Sequence, residues 1–180
     1  VDATYPWDLL ELTRNVLGDG RLDPPESSER VWIDASASVH SAATIQPPAV
    51  VGPDCEVGAG AVIGPDVAVG RNVTVGANAT LTTAVVDDDT RIGAGSTLID
   101  AVVGQAVTLG PNAVVSGGPG DVRVGTEIVE DAPLGALVAD RVRAEGDVSF
   151  APGTLVGPNA RLATGVTVDR RVTEGAEVRR

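Results

Sequence analysis

Residues 51–63 read Val-Gly-Pro-Asp-Cys-Glu-Val-Gly-Ala-Gly-Ala-Val-Ile, and they contain the unit from which most of the chain is built. An aliphatic residue recurs there every six positions, at Val51, Val57 and Ile63, and each is followed by glycine. The same six-residue spacing continues in both directions, with further aliphatic residues at Ile33, Val39, Ile45, Val69, Val75 and Leu81. Self-similarity at one short period is the mark of a repeat solenoid.

The residues between the aliphatic positions predict how the solenoid turns. A small or β-branched residue stands four positions after each aliphatic one, as at Ala61 and Val67. Gly, Asn or Asp, which tolerate positive φ, stand at the third position, namely Asp54, Gly60, Asp66, Asn72, Asn78, Gly95, Asn112 and Asn159. One corner per hexad and three corners per turn would stack Val51 over Ile33 and under Val69. Parallel strands stacked this way lie ~4.8 Å apart. The sequence therefore predicts an all-β fold, a three-sided parallel β-helix with its aliphatic residues inside.

The repeat is interrupted at a few places. The steps from Leu81 to Val86 and from Leu98 to Val103 are of five residues, which we interpret as adjusted corners. A longer break begins with the glycine-rich sequence Ser116–Gly120, and regular spacing returns at Val138. We expect an irregular, protruding loop at about residues 116–133, where a solenoid usually places its variable surface.

The N-terminal residues predict a different element. Pro6 near the start, apolar residues at Leu9, Leu12 and Val16, and the stop at Gly18 indicate a short amphipathic helix. Residues 1–30 are thus a linker with one helix, and residues 31–180 are the β-helix domain. We expect Trp7 and Trp32 to anchor the helix and the connector against the first coil.

Composition and charge exclude several functions. The chain has 25 acidic and 13 basic residues, a net charge of −12, and every basic residue is arginine. A nucleic-acid partner is not expected, because binding phosphates needs a basic face. A lysine-free acidic surface resembles proteins of extreme halophiles, whose carboxylates keep them dissolved in molar salt.

No stretch predicts a signal peptide or a membrane span, so we expect a cytoplasmic protein with no membrane partner. The absence of methionine suggests a piece of a longer chain.

Few residues are candidates for chemistry. His40 lies on an early corner with no acid nearby in sequence to orient it, which favours a surface role. Cys55 falls on the small inward position and is expected to be a buried apolar residue. Asp87, Asp88 and Asp89 could hold a cation in principle, but we interpret them as a solvated corner and expect no metal. The loop Ser116–Gly120 lacks the lysine of a phosphate-binding loop.

The repeat resembles a known group of proteins. Residues 51–63, and with them about residues 31–172, resemble the left-handed parallel β-helix of the hexapeptide-repeat transferases. Residues 5–10, Tyr-Pro-Trp-Asp-Leu-Leu, are similar to the linker that precedes the C-terminal β-helix of archaeal-type, here halophilic, sugar-1-phosphate nucleotidyltransferases. Residues 134–142 and 151–159 resemble the closing coils of those enzymes.

The resemblance implies an enzyme whose reaction centre lies outside this chain. Such an enzyme, of the glucose-1-phosphate thymidylyl- or uridylyltransferase type, makes nucleotide sugars from a sugar phosphate and a nucleoside triphosphate, with Mg²⁺ in its catalytic domain. This chain would then be an oligomerisation scaffold, a trimer about the helix axis, and would bind no cofactor itself. Gathering −12 per chain into a trimer should make the assembly looser at low salt.

Two alternatives stay open at this point. The chain could be an acyl-CoA-dependent sugar N-acetyltransferase domain of a bifunctional enzyme, or a scaffold alone. In the acetyltransferase relatives a histidine acts as general base, and its position falls on Ala94 here; an asparagine of those relatives falls near Gly117. Alanine cannot accept a proton, so the resemblance predicts no catalytic residue in this chain.

Overall fold

The computed structural model describes residues 4–18 and 30–179. In these residues one α-helix, α1 (Asp8–Gly18), precedes a left-handed parallel β-helix of about eight turns. Each strand pairs with the strands one turn before and one turn after it, and the strands stack into three sides. The predicted fold class is confirmed.

The strands are distributed over the sides as follows. Side one contains β1 (Val31–Ile33), β4 (Ala49–Val51), β7 (Val67–Val69), the second half of β9 (Thr80–Val86), the second half of β11 (Thr97–Val103), β16 (Ala136–Val138) and β19 (Thr154–Val156). Side two contains β2 (Ser38–Val39), β5 (Glu56–Val57), β8 (Thr74–Val75), β10 (Arg91–Ile92), β12 (Thr108–Leu109), β17 (Arg143–Ala144), β20 (Arg161–Leu162) and β22 (Glu177–Val178). Side three contains β3 (Thr44–Ile45), β6 (Val62–Ile63), the first halves of β9 and β11, β13 (Val114–Ser116), β18 (Ser149–Phe150) and β21 (Thr167–Val168).

The register follows from the hexad. Val51 pairs with Ile33 on one side and with Val69 on the other, as predicted. The aliphatic positions point inward, and in the middle of the solenoid they are completely buried, for example Ile63 and Leu81 at 0% exposure. The core is therefore a narrow column of aliphatic side chains that runs the length of the β-helix.

The corners are made by the residue types expected. All of the Gly, Asn and Asp residues predicted to turn the chain have positive φ, for example Asn78 at 56° and Gly95 at 70°. The two five-residue steps have a local cause. Thr83 (φ 46°) inside β9 and Asp100 (φ 49°) inside β11 each turn the chain alone, so the strand continues around the corner with one residue fewer. The interpretation of adjusted corners is confirmed.

The segment expected to be an irregular loop has regular structure. It forms an antiparallel hairpin of β14 (Gly120–Val124) and β15 (Glu127–Ala132), with Gly125 at positive φ in the turn. Val122, which is completely buried, faces the outer surface of side one together with Ala132 and Leu134. The hairpin is regular because the solenoid and α1 supply the apolar surface that its few residues need.

Helix α1 lies against the middle of the solenoid. The Asp8 carboxylate accepts hydrogen bonds from the N–H groups of Thr4 and Tyr5, at 2.8 and 2.7 Å, which fixes the first turn. Trp7 and Leu10, each 4% exposed, belong to one buried cluster with Val102. The expectation that Trp7 anchors the helix to the first coil is therefore wrong, because its partners come from later coils.

The other parts of that expectation have separate outcomes. Trp32 lies in the first coil, on β1, and is half-buried. Most of the connector, residues 19–29, is outside the described residues. Nothing in the described ranges is a helix long and apolar enough to cross a membrane.

Candidate functional site

The corner that would carry an acetyltransferase histidine has no side chain suited to proton transfer. Ala94 is exposed at the corner between sides two and three, and its carbonyl accepts the N–H of Asn112 at 2.9 Å. The neighbouring Gly93 is packed tightly, since a Cβ on it would lie 2.4 Å from the carbonyl carbon of Gly110. The corner is therefore shaped by coil stacking, and it presents a methyl group where a base would be needed.

The second expected polar position is a structural glycine. Gly117 is buried at φ 89°, and a Cβ on it would meet Ile99 Cγ2 at 2.9 Å. The next residue, Gly118, donates its N–H to Asp100 Oδ2 at 3.0 Å, where the chain leaves the solenoid for the hairpin. An asparagine at this position would therefore collide with Ile99 unless that side chain shifted.

His40 occupies the same corner as Ala94, but in the first coil. Its Nδ1 accepts the N–H of Ala42 at 3.1 Å, and its ring borders a shallow groove of about 290 Å³ with Ser38 and Glu56. Because Nδ1 is the acceptor, the neutral ring carries its proton on Nε2, by assignment from the hydrogen bond. The Nδ1 lone pair of His40 is therefore already occupied, so the ring is poorly placed to act as a base.

Two of the three consecutive aspartates, Asp88 and Asp89, are hydrogen-bonded to neighbouring coils. Asp88 accepts the backbone N–H of Arg71 at 2.6 Å and its guanidinium at 3.3 Å. Hydrogen bonds from Asn72, at 2.7 Å, and from Gln105 lower the pKa of Asp89. Residues 4–18 and 30–179 contain no group of His, Cys, Asp and Glu side chains arranged to hold a metal ion.

Cys55 lies inside the solenoid. The residue is 1% exposed, and its Sγ–H donates to the carbonyl of Gly70 at 3.0 Å. Burial raises the pKa of the Cys55 thiol, so the reactive thiolate is disfavoured.

The outward surfaces of the three sides differ sharply in character. On side one the outward residues form an apolar row, which consists of Trp32, Val50, Ala68, Val85, Val102, Leu137 and Leu155. Helix α1 and the hairpin cover its middle and late part. An apolar groove of about 470 Å³ remains between this row and Pro6 and Leu9 of the N-terminal segment.

Side two carries the charge. Its outward row, one residue per coil, is Ser38, Glu56, Thr74, Arg91, Thr108, Arg143, Arg161 and Glu177. Charged side chains of both signs favour contact with water or with a polar ligand.

Side three is uncharged along its whole length. Its outward row, called the side-three ladder below, is Thr44, Val62, Thr80, Thr97, Val114, Ser149 and Thr167, paired in register from coil to coil. Strands at ~4.8 Å spacing make this ladder about 30 Å long. Parallel sheets are normally covered on both faces, yet no described residue of this chain covers the ladder as α1 and the hairpin cover side one.

This surface was missed in the sequence, although a signal was present. The ladder residues stand directly before the inward aliphatic residues, and reading only these positions shows Thr, Val and Ser without charge. The geometry makes side three the candidate functional site, since charge depletion over a flat, extended surface is typical of the core of a protein interface.

Comparison with known proteins gives a family match and a fold match. The family described as the GMPPB C-terminal domain matches residues 53–148. A Bacillus cereus structure, provisionally assigned as an acetyltransferase, has a TM-score of 0.50 at 11% identity and covers 83% of this chain and 78% of its own. The UDP-N-acetylglucosamine acyltransferase of Francisella novicida has a TM-score of 0.45 at 20% identity over 81% of this chain, which spans 62% of that protein's length. At these identities the structures indicate the fold alone. No curated protein matches the sequence.

Proposed function

This chain belongs to the GMPPB C-terminal domain family, and from that premise we propose that it is the assembly scaffold of a sugar-1-phosphate nucleotidyltransferase. The nucleotidyl transfer, of the glucose-1-phosphate thymidylyl- or uridylyltransferase type, would occur in a catalytic domain outside residues 1–180. That domain would bind the sugar phosphate, the nucleoside triphosphate and Mg²⁺. The proposed location is the cytoplasm, where nucleoside triphosphates are available.

The observation that supports a scaffold is the side-three ladder. The chain's own α1 and hairpin cover the middle and late part of side one, and side two carries charges, whereas side three is uncharged and is not covered by any of the described residues. Three copies that meet along this side would close into a ring with cyclic symmetry, and each ladder would be covered by a neighbour. We therefore propose a homotrimer joined through side three.

We expect Thr97→Arg to convert this trimer to a monomer. Thr97 lies in the middle of the ladder, between Thr80 and Val114. Three arginines brought to the centre of an interface would lose hydration without a carboxylate to pair with. The measurement is the molar mass from light scattering in molar KCl. The same measurement is repeated at low salt, where repulsion between chains that each carry a charge of −12 should loosen the parent trimer as well.

Thr108→Arg is the matched control. Thr108 is also an outward threonine in a neighbouring strand, but on side two. It should leave the molar mass unchanged in molar KCl. A parent chain that is monomeric in molar KCl, or a trimer that survives Thr97→Arg, would show that side three is not the interface.

The alternative function, acetyl transfer to a sugar amine, is disfavoured by the corner geometry. With Ala94 and the buried Gly117 at the two expected polar positions, we predict no release of free coenzyme A from acetyl-CoA and glucosamine 1-phosphate, measured with a thiol reagent at high salt. Ala94→His alone should not create turnover, because the second polar group is still missing. Turnover by the parent chain that disappears in His40→Ala would instead identify His40 as a base and contradict the scaffold proposal.

A further inference from the structure

Two arginines stand side by side on side two with the same sign of charge. Arg143 of β17 and Arg161 of β20 are register partners on adjacent coils and point outward from the same face. Like charges directly opposite each other on neighbouring strands destabilise a sheet. The chain has a net charge of −12, so two adjacent arginines stand out from a surface on which carboxylates are in excess.

The carboxylates nearby do not balance both arginines. Glu177 lies 2.8 Å from the guanidinium of Arg179 and 3.8 Å from that of Arg161. Glu145 Oε2 accepts the N–H and the hydroxyl of Thr164, at 3.1 and 2.9 Å. Within residues 4–18 and 30–179, the guanidinium of Arg143 has neither a hydrogen bond nor an ion pair. Its five donors are therefore available to a ligand.

The pair lines a groove large enough for a small molecule. The groove has a volume of about 670 Å³ and runs along side two past Thr108, Pro111 and Gly146 at one end and Arg161 and Glu177 at the other. Thr108, the register partner of Arg143, adds an exposed hydroxyl in line with the two guanidinium groups.

We propose that Arg143 and Arg161, with Thr108, form a binding site for the phosphoryl groups of a small ligand. The two arginines stand on adjacent strands, whose backbones lie ~4.8 Å apart, and their planar guanidinium groups can hold adjacent phosphoryl groups through paired N–H donors. Arg143 supplies the unpaired positive charge. On binding, Arg161 gives up its long contact with Glu177 for a closer contact with a phosphoryl group of the ligand. The site is on side two and does not depend on the proposed assembly through side three.

The test is calorimetric titration of the 180-residue chain with inorganic pyrophosphate, at an ionic strength matched with sodium chloride. We expect saturable binding that Arg143→Gln weakens by about tenfold, the value of one charge-assisted contact. Arg123→Gln is the control, because Arg123 is an exposed arginine on the hairpin, outside the groove. It should bind pyrophosphate like the parent.

Three further ligands separate the possible sources of the phosphoryl groups. Inorganic phosphate should bind more weakly than pyrophosphate if two adjacent groups are held. Tighter binding of GDP or of coenzyme A than of pyrophosphate would identify a ligand whose organic part also fills the groove. No binding of pyrophosphate beyond that of chloride, or equal weakening by Arg143→Gln and Arg123→Gln, would overturn the proposal. Light scattering of Arg143→Gln, with the mass expected to equal that of the parent, keeps this result separate from the assembly question.

Discussion

Ile63→Asp is expected to lower the melting temperature of the β-helix by roughly 10 °C or more. Ile63 is completely buried in the column between Ile45 and Leu81, its register partners on side three. A carboxylate at this position loses its water and finds only aliphatic side chains, a defect that costs about 4 kcal/mol or more. Because each coil contacts only its neighbours, the damage should be concentrated in the turns next to Ile63.

Thermal unfolding in high salt, followed by circular dichroism, measures this effect. Thr74→Asp is the matched control, since Thr74 is an outward residue of side two, next to the buried Val75 on the same strand. That variant should melt within about a degree of the parent, as surface changes usually do. If Ile63→Asp also melts within about a degree, the inward register assigned to the hexads is wrong.

Trp7→Ala should release α1 from the solenoid while the β-helix stays folded. Trp7 fills the space between the hairpin and side one, in contact with the cluster of Leu10, Val102 and Leu134, and stacks on Tyr5 with ring centroids 4.6 Å apart. Removing a buried indole costs about 3–5 kcal/mol. An 11-residue helix is too short to be stable alone, so the loss should fall on α1 first.

Hydrogen exchange is the suitable measurement because it reports each element separately. The amides of α1 should lose most of their protection in Trp7→Ala, whereas those of β6 and β9 keep theirs. Leu9→Ala is the control, since Leu9 is 40% exposed on the same helix. Unchanged protection of α1 in Trp7→Ala would mean that Trp7 does not hold the helix in place.

The periodic part of the fold could be predicted from the sequence because the residues of each hexad determine its inward position and its corner locally. Val51 identifies an inward position, and Asp54 three residues later identifies a corner, without reference to any distant residue. Even the irregular corners at Thr83 and Asp100 are visible as steps of five. Local signals of this kind agree with the global structure, which is why the register is correct.

Other features depend on contacts between distant segments, and the sequence alone does not contain them. Nothing in the sequence around α1 indicates which coil Trp7 packs against, and the expectation that it packs against the first coil is therefore wrong. The hairpin was expected to be irregular because Val122 becomes a core residue only when α1 and side one enclose it. The side-three ladder was overlooked because it is defined by the charges that are missing from it rather than by a motif.

The stacking of coils also limits how proteins of this kind can change length during evolution. Each residue is matched to one a full turn away, 18 positions between Ser36 and Asp54 and 17 between Arg71 and Asp88. An insertion or deletion of one residue within a strand would turn the side chains that follow it onto the wrong surface, unless a corner absorbs the change, as the corners at Thr83 and Asp100 do. Loss or gain of a whole turn leaves every inward and every outward side chain on its own face. It changes only the height of the molecule, by ~4.8 Å. Homologous solenoids should therefore differ in height by whole numbers of turns, with other length changes confined to corners, such as those at Thr83 and Asp100, and to excursions such as the hairpin.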